Sequence, residues 1–227
     1  MKLTERLEKV AALVPPSTSM ADIGTDHGYL PLALLEAGKV ERAIACDINE
    51  GPLQRARDHI TSVGREKDIA LRLGGGLSVL ARGEVDGVVI AGMGGLMMRD
   101  ILEADMDKAQ ALHWLVLQPQ NHVADLKRYL STHHFRILKE DMALEDRQLY
   151  EMMLAAPGDM EEVSLLEGEI GVTAAYRQHP LFPLHIRKLI RKRDFLIQGV
   201  AEDTENERNR EKRTIAVEEK KRLEALL

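Results

Sequence analysis

The 227-residue sequence predicts an α/β fold: an open, mostly parallel sheet with an antiparallel edge, followed by a helical hairpin. Three observations carry this expectation. Short apolar strands alternate with helices over the first two thirds of the chain, the pattern of βαβ units. Glycines and polar residues follow the strands, on the edge where open α/β sheets bind ligands. Beyond Pro157-Gly158 the alternation stops, and from Leu184 onward proline is absent while Glu, Lys and Arg dominate.

The elements follow in order. Leu3, Leu7, Val10, Ala11 and Val14 recur at helical spacing, and Pro15-Pro16 end that helix. Ser19–Ile23 reads as a strand running into a glycine loop. Tyr29–Ala37 reads as a helix with Pro31 in its first turn, where proline is tolerated. Strand Arg42–Cys46 ends at Asp47, and helix Gly51–Val63 stops at Gly64. Strand Ile69–Leu73 runs into Gly74-Gly75-Gly76, and strand Gly87–Ile90 into Ala91-Gly-Met-Gly-Gly95. After helix Leu96–Glu103, strand Trp114–Leu117 ends at Gln118-Pro119, and Asn121 is placed to cap a helix over Val123–Ser131. Phe135–Leu144 and Gln148–Ala155 read as the strand pair at the edge. Pro180 and Pro183 bracket a connector. Ile186, Leu189, Ile190, Ile197 and Val200 form one helical stripe; Ile215, Leu223 and Leu226 form a sparser one, with the polar stretch Glu202–Arg213 between them. Two weak stripes that must cover each other favour an antiparallel hairpin over one long solvated helix. The expected division is 1–156 and 157–227.

Composition narrows the class. A hydrophobic fraction of 44% suits a globular core, and no apolar run reaches the roughly 20 residues needed to cross a bilayer. The polar N-terminus lacks the apolar core of a signal peptide. A single cysteine, Cys46, excludes an internal disulfide and any multi-cysteine metal site. The expectation is a cytoplasmic protein with no membrane and no metal partner. Residues 1–155 carry 18 Lys+Arg against 23 Asp+Glu, and residues 156–227 carry 13 against 14. Within the second part Arg187, Lys188, Arg191, Lys192 and Arg193 form a local patch able to attract phosphate.

The chemistry concentrates in Asp22-Ile23-Gly24-Thr25-Asp26-His27-Gly28, between the first strand and a helix. Gly24 and Gly28 permit a tight turn and close approach of a ligand. A pyrophosphate cofactor would be repelled by Asp26, whereas S-adenosylmethionine (SAM), with its ammonium and sulfonium, suits Asp22 and Asp26. An ordinary capped βα turn is the alternative for the loop alone. Asp47 strengthens the ligand reading, because an acid there holds ribose hydroxyls in doubly wound sheets. Ile48 lies beside it. Gly75 and Gly76 would flank the adenine, and Ala91 and Gly92 the methyl end. Gln118 and Asn121 offer amide groups to a substrate. His133-His134 reads as a helix C-terminal cap, Cys46 as packing, and Met97, Met98, Met152 and Met153 as core.

The motifs Met20-Ala-Asp-Ile-Gly-Thr-Asp-His-Gly-Tyr-Leu-Pro31, Ile90-Ala-Gly-Met-Gly-Gly95 and Leu117-Gln-Pro119 resemble the bacterial tRNA (adenine-N1)-methyltransferase family, TrmK. The resemblance runs from about Leu3 to Ala155, and the tail matches the family's C-terminal coiled coil in character. It implies a Rossmann-like SAM-dependent methyltransferase sheet and a helical extension that helps hold tRNA, with methylation of N1 of adenine twenty-two. By motif it places Asp22, Gly24, Thr25, Asp26, His27 and Gly28 on the SAM loop, Asp47 on the ribose, and Tyr29 and Met93 at the target base. The family's Gly-Asp-Gly-Leu is here Gly74-Gly75-Gly76-Leu77, so an acid expected near the cofactor's adenine is missing. Gln120 also intervenes before Asn121.

N1 of adenine is a nucleophile when unprotonated, so positioning supplies much of the catalysis. Positive charge moves onto the adenine, and a carboxylate nearby would stabilise it; Asp26 is the candidate, with fixing the SAM ammonium as its competing role. Tyr29 would stack on or hydrogen-bond the extruded base, with core packing as its alternative, and Arg187, Lys188, Arg191 and Lys192 would hold phosphates, with a solvated helix face as theirs. A SAM enzyme acting on another substrate and a non-catalytic RNA-binding protein are the alternatives.

Overall fold

The computed structural model describes residues 3–201 and 207–227, with side chains of α9 described as far as 199. Helix α1 (Glu5–Leu13) is capped by Thr4, whose hydroxyl accepts from the Leu7 N–H. Then β1 (Ser17–Ile23), α2 (Tyr29–Glu36), β2 (Val40–Asp47), α3 (Glu50–Ser62) and β3 (Ile69–Leu73) follow. A short 3-10 turn, Gly76–Val79, leads to β4 (Gly87–Met93), α4 (Gly95–Ala104), α5 (Met106–Ala109), β5 (Trp114–Pro119) and α6 (Val123–Thr132). The hairpin β6 (Phe135–Glu145) and β7 (Gln148–Pro157) closes the sheet. The tail comprises α7 (Leu165–Ile170), α8 (Ala174–Arg177), α9 (Phe182–Ala201) and α10 (Glu207–Glu224).

The seven strands lie in the order β3-β2-β1-β4-β5-β7-β6. Neighbouring strands among β1 to β5 pair in parallel, and β7 runs against both β5 and β6. The strand order reverses between β1 and β4, and such a switch point opens a crevice at the carboxyl ends of the strands.

Strand alternation sends successive residues to opposite faces. Ala21, Ile23, Val88, Ile90, Leu115 and Leu117 pack with Met98, Leu102, Leu126 and Leu130 of α4 and α6. Met20, Ala43, Ala45, Val89 and Val116 pack with Val10, Leu30, Leu34, Ala56 and Ile60 of α1 to α3. The result is a three-layer sandwich. A side chain at Gly87 would overlap the Trp114 ring at 2.1 Å, so this strand start must be glycine for the tryptophan to lie across it.

A third cluster joins the tail to the hairpin: Met142 and Leu149 meet Ile170, Tyr176, Ile186 and Leu223. Beneath it Lys127 is buried, with Nζ 2.8 Å from Glu140, 3.4 Å from Glu151 and 3.0 Å from the Gly168 carbonyl. Tyr176 donates to Glu151 at 2.7 Å, and Glu140 accepts from the N–H groups of Val172 and Thr173. α9 and α10 form the expected hairpin; Arg193 joins Glu219 (2.8 Å) and Glu169, and Lys220 joins Asp194 (2.7 Å).

Several expectations change. β4 extends through Met93 rather than stopping at Ile90, because Ala91 and Met93 still pair with Gln118 and Pro119 across a bulge. Asn121 does not cap α6; His122 holds that position with φ 50° and no side-chain cap. Pro183 lies in the first turn of α9, not in a connector. The second tail stripe is Ala216 and Leu223, while Ile215 and Leu226 are exposed. Met97 is exposed too, unlike the other three paired methionines. Val200 and the 202–206 part of the polar stretch fall outside the described side chains. His133 is the C-cap of α6, as expected, and Cys46 is buried.

Candidate active site

The glycine loop is fastened from below and from one side. The N–H groups of Gly24 and Thr25 both donate to the Cys46 carbonyl, at 2.9 and 2.8 Å, which locks the end of β1 to β2. Gly24 has φ +79°, and a Cβ there would meet the Met93 methyl at 2.2 Å. Met93 thus lies over the turn and joins the β1 and β4 loops. From α3, one turn apart, Arg55 reaches Asp26 at 2.9 Å and His59 Nδ1 donates to the His27 carbonyl at 2.9 Å. Gly28 packs on Ala56 and Ile60 of the same helix. His27 has φ +60°, an uncommon backbone state for a residue with a side chain. It stacks on Tyr29, whose ring meets His59 edge-on at 5.0 Å.

Asp22 is the electrostatic centre of this edge. It is buried, with no Lys or Arg pairing it among the described residues. Burial pushes its pKa up to about 6; the nearby Thr25 hydroxyl opposes the rise and Asp47 adds to it. Thr25 Oγ1 is itself buried with no well-formed hydrogen bond. Burial also raises the Cys46 thiol to about 12, so it is inert packing. A carboxylate and a hydroxyl left unmet at a strand end fit a cationic amine donor. Asp47 ends β2 as expected; its Oδ1 accepts from the Asn49 backbone and side chain, at 2.7 and 3.2 Å. Its backbone carbonyl accepts from Gly74, fixing the third loop beside it. A Cβ on Gly75 would lie 2.9 Å from exposed Ile48, so the missing acid and the isoleucine compete for one space. Gly76 and Gly92 both have positive φ, and Ala91 and Gly92 end β4 on the same edge.

Asp26 is exposed rather than enclosed. Its Oδ1 takes both Arg55 and, at 3.5 Å, His27, and Oδ2 has no partner among the described residues. Tyr29 is half-exposed within its aromatic trio. Gln118 is placed otherwise than expected: it is fully buried, its Oε1 accepts from Arg6 at 2.6 Å and the Gly92 N–H at 3.2 Å, and its Nε2 donates to the Pro119 carbonyl. It braces the β4 loop instead of facing a substrate. Asn121 does face outward, in an open groove between the β5 loop and α9. The tail patch divides. Arg193 is buried in ion pairs and Lys192 is held by Glu169 at 2.7 Å, whereas Arg187, Lys188 and Arg191 are exposed and enter no ion pair among the described residues.

Sequence reasoning missed Arg6, Arg55 and His59. Arg55 and His59 share one face of α3 at i, i+4, a signal that points to a partner but not to which one. Arg6 meets Gln118 across 112 residues, which no local pattern encodes.

A switch-point crevice lined by glycine loops and an unpaired buried carboxylate is what a methyltransferase domain presents, and the Methyltransferase domain family matches residues 3–153. Over 217 residues, 93% of this chain and 91% of the relative, the sequence is 32% identical to the tRNA (adenine(22)-N(1))-methyltransferase of Bacillus subtilis strain 168. The crystal structure of the B. subtilis m1A22 tRNA methyltransferase TrmK superposes with a TM-score of 0.88 at 30% identity, covering 99% of this chain and 98% of that one. M. capricolum TrmK bound to the cofactor product S-adenosylhomocysteine superposes with a TM-score of 0.87 at 27% identity over all of both chains. The chain belongs to the tRNA (adenine(22)-N(1))-methyltransferase family.

Among the described residues no helix is long and apolar enough to cross a membrane, and no group of three His, Cys, Asp or Glu is placed to hold a metal.

Proposed function

We propose that this protein transfers the methyl group of SAM to N1 of adenine twenty-two in tRNA. The observation that carries the reading is Asp22: a buried carboxylate without a cationic partner among the described residues, beside the unsatisfied Thr25 hydroxyl, in a loop whose motif resembles the family's. When bound, SAM supplies an electrophilic methyl on a sulfonium. Asp22 accepts from the amino-acid ammonium, and Thr25 orients it. Asp47 takes the ribose hydroxyls through the oxygen that Asn49 leaves free. The backbone at Gly75 and Gly76, with Ile48, borders the adenine end. Ala91, Gly92 and Met93 bound the methyl end and keep water from it.

The target base enters between Met93 and the Tyr29 ring, with Asn121 beside the opening. The free Oδ2 of Asp26 stabilises the positive charge that develops on the adenine. Arg55 and His59 are positioning residues, since they hold Asp26 and the His27 backbone. No strong base is needed, because N1 attacks through a lone pair it already has. Residues 1–156 form the catalytic unit in this reading, and 157–227 hold tRNA in the cytoplasm through Arg187, Lys188 and Arg191, with Lys192 freed only if Glu169 lets go.

The test is direct. The protein is incubated with labelled SAM and unmodified bacterial tRNA, and the modified nucleoside is mapped. N1-methyladenosine at position twenty-two is expected; its absence overturns the assignment. An Asp26→Ala variant with undiminished turnover removes Asp26 from the catalytic role.

A further inference from the structure

We propose that the groove between the β6–β7 turn and α9 is a stacking site for an unpaired nucleobase of the RNA, with Phe195 as the platform. This deepens the tRNA reading above and rests on it. The groove encloses about 840 Å³. Leu144 and Leu184 contribute to its apolar wall, and Arg147, Lys188 and Arg191 bring cations to it. Phe195 is 73% exposed, the highest of the large apolar side chains among the described residues. An aromatic ring left in water amid cations is the arrangement that holds single-stranded nucleic acid: bases stack on the ring while the cations take the flanking phosphates.

Charge favours RNA over a second copy of this chain or another protein. Among the described residues no acid lines the groove. Of the described tail acids, Asp194 is paired by Lys220, Glu219 by Arg193, and Glu169 by Arg193 and Lys192. The groove also continues toward the catalytic edge. Leu149, Lys188 and Lys192 line both it and the neighbouring groove that reaches Pro119 and Asn121. Asp125, Glu151 and Glu169 also line that neighbouring groove, so the basic surface is confined to the Phe195 end, where Arg147, Lys188 and Arg191 stand. Arg147 belongs to the β6–β7 turn, so this surface is built by the sheet and the tail together.

The experiment uses the full-length protein and steady-state kinetics with tRNA. Wild-type activity is measured first; if it makes no N1-methyladenosine, the function assignment fails and the groove is not at issue. With an active wild type, Phe195→Ala and Phe195→Leu should raise the KM for tRNA roughly 5- to 100-fold, with kcat and SAM affinity unchanged. Phe195→Tyr should keep the wild-type KM. Arg147→Gln and Arg191→Gln should each lower the slope of log binding constant against log salt by about 1. An unchanged KM in Phe195→Ala overturns the proposal, as does full function in Phe195→Leu, which keeps the bulk without a π face. A wild-type dimer that Phe195→Ala converts to monomer, in analytical ultracentrifugation, would assign the face to a second copy instead.

Discussion

The catalytic edge and the seam between sheet and tail both bury charge, in opposite ways. At the edge, Asp22 and Thr25 are buried without sufficient partners. At the seam, Lys127 is ringed by Glu140, Glu151 and the Gly168 carbonyl, and Arg193 by Glu169 and Glu219. Burial penalises charge in both sets, and at the seam opposite charges within the chain offset much of that penalty. At the cofactor edge the buried carboxylate lacks a cation and fits a cationic ligand; at the seam the buried cations already have carboxylates and hold sheet to tail.

Breaking the seam should have the largest effect. Lys127→Met leaves two carboxylates facing a buried apolar side chain, and should cost about 3–5 kcal/mol and lower the melting temperature by about 10 °C. Calorimetry at neutral pH checks this, and a melting point within 2 °C of wild type, on the order of the shift from 1 kcal/mol, would mean the cluster is not a unit.

Asp22→Asn should separate the two kinds of burial. SAM affinity should fall by roughly 30-fold or more, read by titration calorimetry, because the ammonium loses a charged partner. Apo stability should rise. The carboxyl titrates near 6 in the fold and at 3.8 in its ordinary state, so the folded protein holds the extra proton between those values. Stability is therefore lost as pH climbs from about 4 to 6, and the Asn variant should lack that decline. SAM binding by the wild type should strengthen over the same range, since the cation favours the carboxylate. A wild-type affinity flat from pH 5 to 7 would remove Asp22 from the ammonium.

Smaller effects sharpen the comparison. Thr25→Val deletes a hydroxyl whose contact with Asp22 is poorly formed, so it should leave the melting temperature within a degree or two while weakening SAM roughly 3- to 10-fold. Arg55→Gln breaks an exposed pair and should barely change stability. Its readout is kcat: if the pair positions Asp26, turnover falls while SAM affinity holds.

The sequence made the catalytic edge legible and the seam nearly invisible. Asp22 to Gly28, Asp47 and the glycine runs are local signals, each readable from a few neighbours. Strand Ile69–Leu73 was found at its observed bounds for the same reason. β4 was cut short because Ala91-Gly-Met93 looks like a turn until β5 supplies its hydrogen bonds. Lys127, Glu140, Glu151 and Tyr176 are unremarkable one by one and gain meaning only when α6, β6, β7 and α8 meet. Gln118 was misread because an amide at a strand end points to a substrate unless something like Arg6 already holds it. Helices α5, α7 and α8, at four to six residues, are too short to show a period.

The strand order has a consequence for how the chain is made. β7 follows β6 in the chain but is inserted between β5 and β6, and β6 pairs with no other strand among the described residues. On the ribosome β6 therefore waits without a neighbour until Gln148–Pro157 has emerged, and β5 shows an open edge for as long. α1 waits as well, since Arg6 docks on Gln118 and Glu145. A chain stopped before Gln148 keeps nearly all of the cofactor loops yet exposes an unsealed sheet edge, and its expected fate is aggregation rather than a smaller working enzyme.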